Sequence, residues 1–228
     1  EIAEEGGLAG PAAPTTPSLV VVGDGRVVQP GPTTMQYPGP LLPNLQERSI
    51  TAEGIQRLLD LAGEHGLLAD VTYDRPDGIM DAPDTVVTIS AGGRTYEHRA
   101  YALGLAGDGR ETDPDRARLQ DFVEAVTAFG QSREDALGEE QPYRAEAYVV
   151  RAVPGEPETS PDGIEPRVVD WPASAPVRLA DAGECAEVPA PAVADVLAGA
   201  DELTRFVDAG VSYSVAAVPL LPGRGCGS

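Results

Sequence analysis

Lysine is absent from this chain of 228 residues, and all 16 basic side chains are arginine. The chain therefore cannot form a lysine Schiff base, a Walker-type phosphate site or a Ser-Lys dyad. Aromatic residues make up only 5% of the sequence, so a core must rely on Val, Leu and Ala. Apolar runs are short, and none reaches the roughly 18 residues that a membrane-spanning helix requires.

Positive charge is scarce as well. Sixteen basic residues stand against 37 acidic ones, which gives a formal net charge of −21 and a pI near 4.2. Such a chain repels phosphate backbones and anionic lipid headgroups, so nucleic acid and membrane surfaces are poor candidates for direct partners. The acidic residues are dispersed along the chain, which is typical of a charged, soluble surface.

Cysteine is also rare, with Cys185 and Cys226 the only two. Neither belongs to a CxxC pair or to a metal-binding spacing. One interpretation is a single disulfide, which would close a loop of about 40 residues and add about 4 kcal/mol in the chain-entropy model. The other is a pair of free, buried thiols in a cytosolic protein. The sequence leaves both open.

The first 17 residues, EIAEEGGLAGPAAPTTP, have no apolar periodicity and are rich in Gly, Ala, Pro and Thr. This composition predicts a flexible N-terminal tether over residues 1–17. A tether of this kind, in a chain that begins with Glu, leads to the hypothesis of a processed export signal or a lipid anchor upstream of residue 1.

The strongest structural pattern is a hairpin from Thr85 to Leu103, with Gly92-Gly93 as its turn. A two-residue turn gives the hairpin one apolar face and one polar face. The apolar face carries Val87, Ile89, Tyr96, His98 and Ala100, and the polar face carries Thr88, Ser90, Thr95, Glu97 and Arg99.

The pattern around this hairpin predicts an α+β fold. Residues 18–130 are expected to form a ββαββα lobe, with a hairpin at 18–29 turning at Asp24-Gly25 and helices over 51–65 and from Asp113 to just before Gly130. Residues 131–142 are predicted to be a linker. Residues 143–228 form the second lobe, with a strand at 143–153, a helix at 191–203 and a hairpin at 204–221.

The two lobes are predicted to be related, each an antiparallel sheet built from hairpins with helices packed on one face. The evidence is an internal match in which a helix precedes the hairpin in both cases. Aligning Ile89 with Phe206 superposes, without a gap, Gly93 on Gly210, Tyr96 on Tyr213, Ala100 on Ala217 and Leu103 on Leu220.

Candidate chemistry is sparse, and we predict no catalytic, cofactor-binding or metal-ligating residues. The loop 70–84 carries Asp70, Asp74, Asp77, Asp81 and Asp84, oxygen ligands that suit calcium, but the EF-hand spacing is absent and a solvated acidic loop is favoured. His65 ends a helix and His98 lies on the apolar hairpin face. No G-x-S-x-G motif accompanies either histidine, so a serine hydrolase is disfavoured.

Two features could serve binding. Aromatic side chains beside proline-rich loops make recognition surfaces, although packing at sheet edges and in loops is favoured for Tyr37, Tyr73, Tyr101, Tyr143, Tyr148 and Trp171. The segment 30–43 contains five prolines and predicts an ordered crossing loop. Its part from Pro38 to Pro43 is rigid enough to act as an inhibitory loop.

Several segments together resemble a known group of proteins. They are LVVVGDGRVVQPG, MQYPGPLLPNLQERSIT, GIQRLLDLA, DAPDTVVTISAGGRTYEHRAYALG and PLLPGRGC, and they cover most of Ser18 to Cys226. They are similar to uncharacterised exported proteins of actinobacteria, many of them described as lipoproteins. The resemblance implies an envelope or extracellular location and a Cys185–Cys226 disulfide. It transfers no activity.

The leading hypothesis is therefore an exported, envelope-associated protein of non-enzymatic function, a module that binds an envelope protein or a glycan and needs no cofactor. One alternative is an extracellular hydrolase whose site uses carboxylates or His98. Another is an inhibitor of secreted proteases.

Overall fold

The computed structural model describes residues 1–6, 16–105, 107, 109–132 and 135–226. In these residues the fold is mixed α+β, with four helices and mainly antiparallel sheets. The chain divides into two compact units, each with its own hydrophobic core. Described residues of the first unit are 1–6, 16–31, 45–105, 107, 109–132 and 135–143, and those of the second are 32–44 and 144–226. No helix among the described residues is long and apolar enough to cross a membrane.

The first unit contains a three-stranded sheet formed by β1 (Ile2–Gly6), β5 (Pro83–Ala91) and β6 (Arg94–Tyr101) in the order β1-β5-β6. Strand β1 pairs antiparallel with β5, with Ile2 opposite Val87, and Ile2 is buried. The predicted flexible tether is therefore wrong over residues 1–6, because pairing with β5 satisfies the backbone there. Residues 7–15 of that prediction lie outside the described residues.

The β5–β6 hairpin confirms the predicted register. Val87 lies opposite His98 and Ile89 opposite Tyr96. Gly92 and Gly93 form the two-residue turn with φ of 59° and 78°, the conformation that matches the twist of the flanking strands. The face with Val87, His98 and Ala100 is buried, as the alternation predicts.

A second, four-stranded sheet in this unit was not expected from the sequence as a separate sheet. It consists of β2 (Val20–Val22), β3 (Arg26–Pro30), β4 (Leu45–Ser49) and β7 (Gln141–Pro142) in that order. The β2–β3 turn has three residues, 23–25, and not the predicted two. The prediction of one sheet is wrong because β1 occupies the edge of β5, so the β2–β3 hairpin forms its own ladder with β4.

Two helices complete the first unit, α1 (Ala52–Glu64) and α2 (Pro114–Gln131). Thr51 and Asp113 cap them as predicted, each accepting backbone N–H groups through its side-chain oxygen. The helix α2 includes Gly130 and ends at Gln131, two residues further than the sequence predicted. The prediction of a linker over residues 131–142 is wrong. Leu137 forms an isolated β-bridge with Ile50, and β7 pairs with β4 at the edge of the four-stranded sheet. The boundary between the units falls after Tyr143.

The second unit is built on a five-stranded sheet. Its strands are β8 (Ala147–Pro154), β9 (Val168–Asp170), β10 (Ala186–Pro189), β11 (Arg205–Asp208) and β12 (Val211–Pro219), in the order β10-β8-β12-β11-β9. All pairs are antiparallel except β9 with β11. The short helix α3 (Leu179–Ala182) and α4 (Ala190–Ala198) belong to this unit, and α4 is shorter than the predicted 191–203.

The core of the second unit lies on one face of this sheet. Val150, Phe206 and Val215 point into it together with the helix residues Leu179 and Leu197. These positions share one face because directly paired residues of neighbouring strands lie on the same side. The single tryptophan, Trp171, is buried there and donates its indole N–H to the Val177 carbonyl at 2.9 Å.

Candidate functional site

The segment Pro32–Asn44 belongs to the second unit although it connects β3 to β4. Its last part is fixed by three backbone-directed hydrogen bonds. Gly39 donates its N–H to the Glu202 carboxylate and accepts the Glu202 N–H, both at 2.9 Å. Leu41 donates its N–H to the Ala200 carbonyl at 3.0 Å. The side chains of Leu41 and Leu42 pack against the core of the second unit. We call residues 39–42 the anchor, because they fix the loop to the turn that contains Ala200 and Glu202.

The anchor contacts the turn that follows α4, and this turn is held by its own hydrogen bonds. Thr204 is buried, and its hydroxyl donates to the Asp201 carboxylate at 2.8 Å and accepts the Asp201 N–H at 3.0 Å. The same carboxylate accepts the N–H of Leu203. This turn after α4 therefore holds Ala200 and Glu202 in position for the loop.

The other end of the loop is closed by Asn44, whose side-chain amide donates to the Pro32 carbonyl at 2.7 Å. Between the two fixed points, all six residues from 32 to 37 are exposed. We call residues 32–37 the loop tip. Met35 is fully exposed, at 106% of its reference area, and Tyr37 is 51% exposed.

The backbone of the loop tip is available for pairing. Residues 33–37 take part in no hydrogen bond with any residue that the structure describes. A stretch of free N–H and C=O groups between two fixed ends can add to the backbone of a partner in an extended conformation.

Charge is missing from the whole loop. Residues 30–44 contain no Asp, Glu, Lys or Arg, in a chain whose net charge is −21. Recognition by the loop tip must therefore rest on apolar contact and on backbone hydrogen bonds. A run of 15 uncharged residues with five prolines and one methionine was visible in the sequence and could have directed attention to Met35.

The part of the loop that is most exposed differs from the part that the sequence analysis singled out. The segment Pro38–Pro43 was expected to be the binding part, but it contains the anchor: Gly39 and Leu41 are bound to the second unit. The exposed residues precede it. The sequence could not show this, because the anchoring partner Glu202 lies 163 residues away from Gly39.

The aromatic residues proposed for a binding surface mostly serve packing, as the sequence favoured. Tyr148 and Trp171 are buried. The hydroxyl of Tyr101 accepts the Ala82 N–H at 3.1 Å and donates to the Ile79 carbonyl at 3.3 Å. In the part of the chain that is described, Tyr37 is the one tyrosine that is exposed.

His98 is fully buried, and both of its ring nitrogens are occupied. The Leu67 carbonyl lies 2.8 Å from Nε2, and the Tyr73 hydroxyl lies 2.9 Å from Nδ1. A carbonyl only accepts, so Nε2 carries the proton and Nδ1 accepts from Tyr73. Burial raises the pKa of Tyr73 to about 12. This histidine is a structural residue, and its geometry gives no support to the hydrolase alternative.

A buried ion pair lies near the start of α2. The Arg116 and Glu111 side chains are 3% and 5% exposed, and Arg116 donates to both carboxylate oxygens at 2.7 Å. Arg116 also donates to the carbonyls of Asp74, Tyr101 and Ala102. The hydrogen bonds from Arg116 lower the pKa of Glu111. The pair joins the acidic loop to the end of β6, and both of its side chains are buried.

The acidic loop 70–84 is held by other residues. Asp70 forms an exposed ion pair with Arg94 at 2.7 Å, and the Arg75 guanidinium lies 3.5 Å from the centre of the Tyr101 ring. Within the described residues, no group of three or more His, Cys, Asp or Glu is placed to hold a metal ion. These contacts favour the structural interpretation of the loop.

The predicted disulfide between Cys185 and Cys226 is present, with the Cα atoms 5.5 Å apart. It ties the last described residue of the chain to the start of β10. The Glu187 carboxylate adds a hydrogen bond from the Cys226 N–H at 3.0 Å. The C-terminal segment is therefore fixed to the second unit at two points.

Comparison of the chain with protein-family models, curated proteins and solved structures gave no match. The resemblance to exported actinobacterial proteins stays a prediction. The geometry of the loop tip is then the main support for a function.

Proposed function

We propose that this chain is an exported, envelope-associated binding module without catalytic activity, and that it recognises a protein partner through the loop tip. The observation that carries the proposal is the complete exposure of Met35 between two fixed ends. A large apolar side chain that is exposed to water between two fixed loop ends is suited to fill a partner's pocket.

Pre-organisation supports the same proposal. Ordering a flexible loop on binding costs about 0.5–1.5 kcal/mol for each side chain immobilised, and a loop whose two ends are already fixed avoids part of this cost. Glycan recognition is a weaker fit, because the loop tip has a single aromatic ring and no charged group to bind hydroxyls.

The location is proposed on separate grounds. The disulfide is typical of proteins in oxidising compartments, and the sequence resembles exported proteins. The acidic composition is compatible with a soluble domain exposed at the envelope. A lipid anchor upstream of residue 1 belongs to this proposal.

The relation between the two lobes is also part of the proposal. Both hairpins turn through two residues of positive φ, Gly92-Gly93 and Ala209-Gly210. In both, the residues aligned in the sequence form the same cross-strand pair, Ile89 with Tyr96 and Phe206 with Tyr213. These correspondences support an internal repeat, whereas the neighbouring strands of the two hairpins differ.

A differential pull-down tests the binding proposal. The full chain is immobilised through its N-terminus and crosslinked to the envelope fraction of the source organism. Three baits are compared: the wild type, the double variant Met35→Ser/Tyr37→Ser, and Met80→Ser as a matched control. Met80 is 84% exposed but lies in the acidic loop. We expect one saturable protein partner that the wild type and the control retain and that the double variant loses by at least about tenfold.

The proposal fails if the three baits capture the same proteins in equal amounts, or if no saturable partner is found. A saturable glycan in place of a protein would also contradict it.

A further inference from the structure

We propose that the loop tip is an inhibitory loop for an extracellular serine endopeptidase with an apolar primary specificity pocket, and that Met35 is the side chain that enters this pocket. This inference rests on the proposed function and names the class of partner.

The dimensions of the loop tip suit an active-site cleft. Proteases bind a few residues on each side of the scissile bond in an extended conformation, by backbone pairing along the cleft. The loop tip offers three exposed residues before Met35 and two after it. Residues 33–37 have no hydrogen bond to any described residue, so their backbone groups are available to the enzyme.

The side chains specify the type of pocket. Methionine is unbranched and adaptable, and it fills an apolar slot of the kind found in chymotrypsin. The loop contains no Arg or Lys, so it offers nothing to the acidic pocket of trypsin. Because the loop contains no Asp or Glu, it also places no carboxylate in the cleft.

The two fixed ends distinguish an inhibitor from a substrate. Hydrolysis of the Met35–Gln36 bond would add one water and leave a carboxylate on Met35 and an amine on Gln36. The Asn44–Pro32 hydrogen bond would hold the first new end and the Gly39–Glu202 contacts the second. The new ends therefore stay close, product release is slow, and the bond can re-form with loss of the water.

The serine class follows from the compartment. A cysteine protease needs a reduced thiolate, whereas this chain carries a disulfide of the kind that forms under oxidising conditions. A serine nucleophile works in that environment without a reductant.

The test uses the full chain and three purified enzymes: subtilisin and chymotrypsin, which accept apolar side chains, and trypsin, which requires Arg or Lys. We expect competitive inhibition of subtilisin or chymotrypsin at near-equimolar concentrations and none of trypsin. The variant Met35→Lys should weaken that inhibition at least tenfold and create inhibition of trypsin. The control Met80→Lys should change neither. Because Met35 is fully exposed, the variant should keep the wild-type fluorescence of Trp171, which verifies folding.

Two results would overturn the inference. One is rapid cleavage at Met35–Gln36 without inhibition, which would make the loop tip an ordinary substrate. The other is the absence of inhibition together with no gain toward trypsin in Met35→Lys. If the pull-down nevertheless yields a partner that depends on Met35 and Tyr37 and is not a protease, the proposed function stands and only this inference fails.

Discussion

Single residues in the first unit show why buried polar groups in this chain are structural. The Arg116 guanidinium and the Glu111 carboxylate are almost completely desolvated. The free-energy cost of this desolvation is offset only because the two groups bind each other and Arg116 also donates hydrogen bonds to backbone carbonyls. In a catalytic or ligand-binding site, one of these two groups would be accessible to a ligand. In this pair each group is already bound.

Replacing Glu111 by Gln should destabilise the protein by about 3–5 kcal/mol, because the Arg116 charge would remain buried without its counter-ion. The pKa of Glu111 is lowered in the folded state, so its stabilisation is present above its unfolded value of 4.5 and is lost as the pH falls below it. Urea unfolding between pH 3 and pH 7 measures both effects.

The free energy of unfolding of Glu111→Gln should therefore decrease less between pH 7 and pH 3 than that of the wild type. Glu158→Gln, at an exposed position in the second unit, is the control and should leave the free energy of unfolding unchanged. Equal acid sensitivity of Glu111→Gln and wild type would contradict the prediction.

Tyr73→Phe should cost about 1–3 kcal/mol at pH 7, because Nδ1 of the buried His98 would lose its hydrogen-bond donor. The pKa of Tyr73 is raised from 10.0 to about 12, so its contribution is complete below pH 10 and decreases as the pH rises toward 12. The difference in unfolding free energy between wild type and variant should shrink over that interval. Tyr37→Phe serves as the control, because Tyr37 is exposed; a difference that is constant with pH would refute the prediction.

At the scale of elements, the anchor of the loop can be weakened without touching the loop tip. Glu202→Ala removes the carboxylate that accepts the Gly39 N–H, and we expect the cleavage rate at Met35–Gln36 by a low dose of subtilisin to rise about two- to tenfold. Glu158→Ala is the matched control. The anchor interpretation is wrong if both variants are cleaved at the wild-type rate.

The elements that the sequence predicted well are those with local signals. The β5–β6 hairpin has a glycine turn and clean alternation, and α1 and α2 have side-chain caps. The strands that were missed lack such signals: β1 contains two glutamates, and β4, with sequence LQERS, buries Arg48. Arg48 is accommodated because it donates to the carbonyls of Gly130, Ser132 and Gly138, all more than 80 residues away.

The site was less predictable than the fold for the same reason. The proline content of the segment and its missing charge could be read from composition. Contacts with Ala200 and Glu202 decide which residues of the segment are exposed. These two residues lie far from the segment in the sequence, and no local pattern encodes such contacts. Met35 looks like any other core candidate in the sequence until its surroundings are known.

At the scale of the whole molecule, the disulfide and the single tryptophan belong to the same unit. Trp171 therefore reports on the second unit alone. Replacing both cysteines, Cys185→Ser/Cys226→Ser, opens a cross-link with a sequence separation of 41 and should lower the stability of that unit by about 2–4 kcal/mol.

Guanidinium unfolding followed by Trp171 fluorescence measures this loss as a shift of the midpoint to lower denaturant. Wild-type protein under reducing conditions should show the same shift, which controls for effects of the serines. An unchanged midpoint in both would show that the disulfide does not stabilise the second unit.

The distant anchor of the loop has a consequence for biosynthesis. Glu202 follows Gly39 by 163 residues, so a ribosome completes the loop tip long before it adds the residues that hold it. At about 5–20 residues per second, this interval lasts on the order of 10–30 s. During that time a nascent chain lacks the two hydrogen bonds between Gly39 and Glu202. The anchor of the loop can therefore form only after residue 202 has been added to the growing chain.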